Sequence, residues 1–328
     1  MPGLGKPEVP SSHVGRYKVD LETTENRTVS KNQILSIWIR SLPAPGTRRN
    51  YSCYMKRFIS QSGLDPFTLN SFELDEYLIQ AMGKGIRNGS LRLQVIALNS
   101  FYRYMGVKKP GYPNPVRKKT VVVPYCVEST IIKIRKRALT PEQIYRVLNQ
   151  FHDQEIKTGR EPTGAFLFRF LINTGMRIKE ALSLEFFDPG KDRDEYTNYL
   201  RIENGRGYIL VMGKGNRPRE FYLNREFTKY LTSRKLVAGE RILQNRTGRP
   251  LAYSSAFQQM KVVAKRYLKG ADVYKFSPHS LRHTYCTLQV KNDENPINIA
   301  KVVGNSAAMI EKTYLSEPKD INANYCFL

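Results

Sequence analysis

The sequence predicts a mainly helical protein with a small antiparallel sheet, built from an N-terminal helical domain and a C-terminal α+β domain. Three observations predict this fold class. Apolar residues recur at helical spacing along most of the chain, and one stretch carries short strand-like segments separated by glycine turns. A chain of 328 residues also exceeds the usual size of one hydrophobic core, so two folded domains are expected.

The N-terminal part of the chain is predicted to hold an arm, a helical domain and a linker. Residues 1–27 are punctuated by Pro and Gly without an apolar period, which is typical of a flexible arm. Residues 28–106 contain four amphipathic segments, the first capped by Ser30, and predict a compact helical domain. Residues 107–137 are rich in Pro, Lys and Arg, which predicts a basic linker.

The second domain is predicted at residues 138–316. It opens with Thr140 as an N-cap and Pro141 at the first helical position, a strong helix signal. Further helices are expected at 163–173, 177–184, 224–235, 253–268, 279–291, 296–303 and 307–315. Strands at 198–203, 207–212 and 217–222, with glycine pairs at the turns, predict the small sheet.

The charge of the chain predicts a polyanionic partner. Lys and Arg number 53 against 29 Asp and Glu, which gives a formal net charge of +24. Nucleic acid is the leading candidate, because neutralising phosphates releases counterions. An anionic membrane surface is the alternative, but neither a basic amphipathic helix nor a lipidation signal is evident. The positive charge is spread along the chain, which suits a wrapped duplex, and the predicted DNA contacts are Arg48, Arg49, Lys118, Lys119 and Arg217.

Several classes of site and location are disfavoured. The four cysteines lie far apart without a C-x-x-C pair, so a zinc site or a disulfide framework is not expected. No nucleotide-binding G-x-x-x-x-G-K-[ST] loop and no cluster with metal-ligand spacing is present, so we expect no cofactor and no metal. Without a signal peptide or a long apolar run, the protein is expected in the cytoplasm, associated with DNA.

Three separated motifs carry the candidate chemistry. Arg177 follows Thr174-Gly-Met at the start of a predicted helix. His279 and Arg282 lie three residues apart near the N-terminus of another helix, where the helix dipole and free N–H groups favour an anion. Tyr314 ends a short helix after Val303-Gly-Asn-Ser. An ordinary solvated surface explains each motif taken alone, but the order and spacing of all three are unusual together.

In this order the motifs resemble the tyrosine recombinase, or phage integrase, family, over about residues 138–316. The resemblance implies that Arg177 and Arg282 bind a phosphate and that Tyr314 is the nucleophile. The other implied site residues are Lys214 on the strand turn, His279 as the first histidine, Glu180 as a supporting carboxylate and His283 in a packing or supporting role. The family usually has His or Trp where this chain has Asn305, whose amide is still able to donate to a phosphate oxygen.

The residue chemistry fits the reaction that the resemblance implies. Attack of a phenol on a phosphodiester needs fixed cations for the developing charge, and two arginines supply them. Tyrosine, with a pKa near 10, needs a proton acceptor such as His279, while Lys214 is suited to protonate the leaving 5′ oxygen. The covalent 3′-phosphotyrosyl bond conserves the energy of the cleaved link, so neither ATP nor a metal is needed.

The resemblance implies a site-specific DNA recombinase that acts as a homo-tetramer on double-stranded DNA with inverted half-sites, and a prokaryotic or viral origin. Two alternatives stay open at this stage: a type IB topoisomerase or telomere resolvase, and a catalytically weakened DNA-binding relative, which Asn305 suggests. The tail, residues 317–328, ends in apolar side chains. It is expected either to contact a neighbouring subunit, as such tails often do in the family, or to pack on its own domain.

Overall fold

The computed structural model describes residues 29–124, 137–191, 198–213, 217–269 and 276–314. They fall into two compact units, one on each side of residues 125–136. The predicted arm at 1–27, the predicted tail at 317–328 and Lys214 lie outside the described residues. Within the described residues, no helix is long and apolar enough to cross a membrane.

The first unit is the predicted helical domain. Its helices are α1 (Lys31–Ser41), α2 (Pro45–Ser62), α3 (Ser71–Gly83), α4 (Asn88–Lys108) and the short α5 (Pro115–Lys118). Ser30 caps α1 as predicted, in a reciprocal capping box with Gln33. The core is aromatic: Trp38 and Phe101 are almost fully buried and meet edge to face, with ring centroids 5.4 Å apart.

The helical domain extends further than the predicted boundary at residue 106. Val116 and Val123, which belong to the predicted linker, are buried in the core of the first unit. The carboxylate of Asp75 on α3 also accepts bonds from the main-chain N–H groups of Thr120, at 2.8 Å, and Val121, at 3.0 Å. Because Val116 and Val123 are buried in this core, the part of the predicted linker up to residue 124 belongs to the helical domain. The Pro- and Lys-rich composition of the segment gave no sign of these two buried residues.

The second unit contains eight further helices and four strands within its described residues. The helices are α6 (Pro141–Thr158), α7 (Ala165–Thr174), α8 (Ile178–Leu182), α9 (Arg225–Thr232), α10 (Tyr253–Tyr267), α11 (Pro278–Lys291), α12 (Pro296–Val303) and α13 (Ala307–Tyr314). The strands are β1 (Glu185–Phe186), β2 (Asn198–Glu203), β3 (Arg206–Met212) and β4 (Pro218–Tyr222). Thr140 and Pro141 begin α6 as predicted, with Gln143 completing a capping box.

The sheet has the order β1-β2-β3-β4. The three predicted strands pair antiparallel, and Leu200, Ile209 and Phe221 are cross-strand neighbours on the face that enters the core. The predicted fold class is thus confirmed, with one difference. A fourth strand, β1, pairs parallel with β2, so the sheet is mixed. It escaped prediction because two residues are too few to show an alternating pattern.

Helices α7 and α11 pack together, and both lead to the candidate site: α7 ends just before Arg177, and α11 contains Arg282. Gly175, which ends α7, has a φ of +59°, a left-handed conformation that favours glycine. A Cβ at this position would lie 2.4 Å from a ring carbon of Tyr285 on α11. The close approach brings the loop before α8 directly against α11.

Candidate active site

Arg177 is held at the start of α8 by the carboxylate of Glu180. The main-chain N–H and Nη1 of Arg177 donate to this carboxylate at 3.0 and 2.9 Å, a capping arrangement within one helical turn. Its Nη2 donates to the main-chain oxygen of Gly304 at 2.8 Å. Arg177 is half-buried, so one side of its guanidinium is fixed by protein and part of it reaches solvent.

Arg282 on α11 is the more deeply buried of the two predicted arginines, with 3% of its surface exposed. Its Nη1 donates to the main-chain oxygen of Gly175 at 3.0 Å, and its Nη2 donates to that of Val303. Burial, followed by the nearby charge of Arg177, lowers the pKa of Arg282 to about 10. The side chain therefore stays cationic at neutral pH.

The two guanidinium groups converge on one oxygen. Nη2 of Arg177 and Nη2 of Arg282 both donate to Oδ1 of Asn305, each at 3.2 Å. Asn305 itself is exposed, in the turn between α12 and α13. An oxygen that accepts from two cations occupies the position that suits an oxygen of a bound phosphate.

Glu180 also binds a third arginine, Arg219 on β4. Nη1 and Nη2 of Arg219 donate to the two carboxylate oxygens at 3.1 and 2.6 Å, a bidentate pair in which both side chains are largely buried. Burial by itself raises the pKa of Glu180, but the bonds and charge of Arg219, followed by the bonds of Arg177, outweigh burial and lower this pKa. Arg219 was not among the predicted site residues, because the spacing of an arginine within a strand gives no sign of a contact with a distant helix.

The predicted nucleophile, Tyr314, ends α13 and is 6% exposed. Its hydroxyl lies 2.7 Å from Nδ1 of His283. Burial, followed by the neighbouring Cys286 thiol, raises the pKa of Tyr314. Burial, followed by the charges of His279 and Arg282, lowers the pKa of His283 to about 3. Both groups are therefore neutral: the phenol keeps its proton, and the imidazole carries no charge.

His279 lies one turn before His283 on α11. Its ring stands edge to face against that of His283, with centroids 4.7 Å apart, and the side chain is exposed. The ring is nevertheless partly covered, and this partial burial, followed by the charges of Arg282 and Arg177, lowers the pKa of His279. From the sequence, His279 was expected to share the tyrosine proton, and His283 was expected to have a packing or supporting role. In the structure it is His283 that contacts the hydroxyl, because the segment ending at Tyr314 packs beside the second turn of α11.

The remaining predicted DNA contacts are described unit by unit. Arg217, just before β4, is exposed. In the first unit, considered by itself, Arg49 and Lys118 are exposed, whereas Arg48 and Lys119 bind main-chain oxygens, of Leu42 at 2.6 Å and of Val121 at 2.8 Å. Among the described residues, no group of three or more His, Cys, Asp and Glu side chains is placed to hold a metal ion.

Two arginines that share an acceptor, and a tyrosine paired with a histidine one residue after the second arginine, are groups suited to an enzyme that attacks a phosphodiester with a tyrosine. Comparison with known proteins agrees: residues 137–319 match the phage integrase family model. The chain belongs to the phage integrase family, the tyrosine recombinases. The family supports the recombinase interpretation over a topoisomerase or telomere resolvase.

Individual relatives cover most of the chain. Tyrosine recombinase XerA of Saccharolobus solfataricus is 25% identical over 310 residues, covering 90% of this chain and 91% of the relative. Tyrosine recombinase XerC of Lactobacillus delbrueckii subsp. bulgaricus is 25% identical, covering 79% and 83%. Among solved structures, XerH bound to palindromic difH in a post-cleavage complex has a TM-score of 0.61 at 20% identity, covering 87% and 80%. A lambda integrase tetramer bound to a Holliday junction has a TM-score of 0.60 at 14% identity, covering 89% and 78%. At these identities the structures show a shared fold.

Proposed function

We propose that the protein is a site-specific DNA recombinase that cleaves and rejoins DNA through a covalent 3′-phosphotyrosyl intermediate on Tyr314. One observation carries the assignment of the phosphate site: Arg177 and Arg282 donate to the same amide oxygen of Asn305. A non-bridging oxygen of the scissile phosphate replaces that amide oxygen and receives charge-assisted bonds from both guanidinium groups. Asn305 then turns its amide N–H toward the phosphate.

The cleavage step exchanges one phosphodiester for another. Oη of Tyr314 forms a bond to phosphorus, the bond from phosphorus to the 5′ oxygen breaks, and the 5′ oxygen leaves with a proton. His283 and the adjacent His279 are the proposed acceptors of the phenol proton, and Lys214 is the proposed donor to the 5′ oxygen. Rejoining is the reverse reaction, in which a 5′ hydroxyl from another strand attacks the phosphotyrosine.

Cleavage further requires a change in the surroundings of Tyr314. A hydroxyl that is buried against a neutral imidazole, with a raised pKa, is a weak nucleophile and is inaccessible to a duplex. We expect the helix ending at Tyr314 to move toward solvent when DNA occupies the arginines. The negative phosphate then compensates the charges that disfavour a protonated histidine.

The proposed substrate is double-stranded DNA with inverted half-sites, bound by a homo-tetramer. The net charge of +24 supports a polyanionic substrate, and the exposed Arg49, Lys118 and Arg217 are proposed to contact it. The XerH structure contains a palindromic site, and the lambda integrase structure is a tetramer on a junction. Selection of bound duplexes from a random library should return an inverted repeat around a short spacer.

The proposed function is tested by cleavage of a selected duplex that carries a nick beside the scissile phosphate. The nick traps the covalent protein–DNA species once cleavage has occurred. The native chain should form an adduct that survives denaturing electrophoresis. Tyr314→Phe should bind the duplex and form none. Tyr267→Phe is the matched control, because it removes one hydroxyl bond, to Gln154 at 2.6 Å, without touching the site. An adduct with Tyr314→Phe, or none with the native chain, contradicts the proposal.

A further inference from the structure

We infer that Arg219 is a positioning residue for cleavage, which aligns the phosphate-binding Arg177 through Glu180 and fixes the turn that carries Asn305. This inference rests on the proposed function. It concerns a residue that none of the sequence motifs selects. Arg219 lies on β4, whereas the groups that it contacts lie on α8 and at the end of α12.

Arg219 is fully engaged by protein rather than free for DNA. Its side chain is 9% exposed. Nη1 and Nη2 donate to the two carboxylate oxygens of Glu180, and Nε donates to the main-chain oxygen of Val302 at 2.9 Å. A guanidinium fixed on three sides and shielded from solvent does not reach a phosphate. Its effect on the reaction must pass through its partners.

The first partner, Glu180, sets the position of Arg177. This carboxylate accepts four bonds from the two arginines, including the main-chain bond that begins α8. Without Arg219, a buried carboxylate keeps Arg177 as its cationic partner in the site, which favours a tighter pair between the two. Arg177 is then drawn toward Glu180 and away from the oxygen that it shares with Arg282.

The second partner is the turn after α12. Arg219 holds Val302, and Gly304 allows the guanidinium to sit close: a Cβ at 304 would lie 2.7 Å from Nη1 of Arg219. Asn305, which accepts from both phosphate-binding arginines, is the next residue. The side chain of Arg219 therefore positions both Arg177, through Glu180, and Asn305, through the turn after α12. Lysine cannot copy this geometry, because it lacks the planar fork.

The test measures single-turnover cleavage of nicked duplexes with two scissile groups, a phosphate and an uncharged methylphosphonate. A group that acts by presenting positive charge to the phosphate matters less when the phosphate has lost its negative charge. Arg219→Met should slow phosphate cleavage about tenfold to a hundredfold, as misplacing a transition-state donor does, and slow methylphosphonate cleavage less than about threefold. Arg219→Lys should fall in between. DNA affinity should hardly change.

The matched control is Arg169→Met, which breaks a comparable buried pair away from the site. Arg169 is 9% exposed and donates to Glu161 at 3.0 Å. Arg169→Met should lower the thermal midpoint of unfolding about as much as Arg219→Met does. Its effect on the cleavage rate should be small and the same for both substrates. Equal slowing of both substrates by Arg219→Met, or no slowing, overturns the inference, and Arg219→Lys decides in the same way if the Met variant fails to fold. Absence of an adduct with the native chain would instead refute the proposed function.

Discussion

The hydroxyl of Tyr314 is paired with Nδ1 of His283 at 2.7 Å, and both groups are buried. The pair is neutral: the pKa of the phenol is raised and that of the imidazole is about 3. A proton transfer within this pair is strongly unfavourable as long as the surroundings stay unchanged. Under the proposed function, the structure therefore corresponds to a resting state in which Tyr314 is packed against α11.

The buried His283 predicts a loss of stability in mild acid. Its pKa falls from 6.5 in the unfolded chain to about 3 in the folded protein, so the unfolded chain binds a proton that the folded protein refuses. The contribution of the neutral, buried His283 to the unfolding free energy is fully present above pH 6.5 and is lost as pH falls toward 3. Relative to His283→Asn, the native chain should lose about 1.4 kcal/mol of unfolding free energy per pH unit below about pH 6. Urea titrations of the two proteins at pH 7.5, 6 and 5 measure this difference, and parallel pH profiles would contradict it.

Replacing Asn305 by Asp tests the shared acceptor. A carboxylate at this position makes charge-assisted bonds to Arg177 and Arg282, which are roughly twice as strong as neutral bonds. It also competes with the scissile phosphate for the same two cations. Asn305→Asp should cleave a nicked duplex at least about tenfold more slowly than Asn305→Ala, which merely lacks the side chain. Equal rates of the two variants would place Asn305 outside the phosphate site.

Gly304→Ala should combine backbone strain with a steric conflict. Gly304 has a φ of +65°, and its added Cβ would meet the guanidinium of Arg219. Gly205 provides the matched control: its φ is +70°, and no atom lies within 4 Å of an added Cβ. Both alanine variants should lose about 1–2 kcal/mol of stability from the left-handed backbone. Gly304→Ala should lose more and should also cleave DNA more slowly. Similar stabilities and rates for the two variants would rule out a role for this close approach.

The affinity for DNA should fall steeply with salt. Each neutralised phosphate contributes roughly 0.9 to the slope of log affinity against log salt concentration. Lys118→Ala and Arg217→Ala, at exposed predicted contacts, should each reduce the slope by about one contact. The control is Lys157→Ala, at an exposed position at the end of α6, and it should leave the slope unchanged. Slopes measured from 50 to 300 mM salt that are flat, or the same in all variants, would assign the positive charge to another role.

The sequence predicted those features that arise from local chemistry. The helix start at Thr140 and Pro141 follows from capping preferences, and the alternating burial along β3 follows from the two-residue period of a strand. The motifs around Arg177 and Arg282 were also visible, because each lies beside a helix start. Their roles in catalysis stay predictions until the variants above are measured.

The relationships between distant elements were beyond sequence reasoning. Arg219 and Glu180 are 39 residues apart, and His283 and Tyr314 are 31 apart, so neither pair shares a helical or strand period. The segment from Pro115 to residue 124 was assigned to a linker by composition, although two buried valines tie it to the helical core. Lys214 lies outside the described residues, so its role as an acid is still a prediction.

The bonds from Arg282 to the main-chain oxygens of Gly175 and Val303 affect the entropy of DNA binding. A free arginine side chain carries about 2 kcal/mol of rotamer entropy, which is lost when the side chain is fixed on a ligand. In this protein the rotamer of Arg282 is already fixed before DNA arrives, so this loss belongs to folding and not to recognition. Substituting Arg282 should therefore disturb the folded protein itself, whereas exposed cations such as Lys118 affect only the complex.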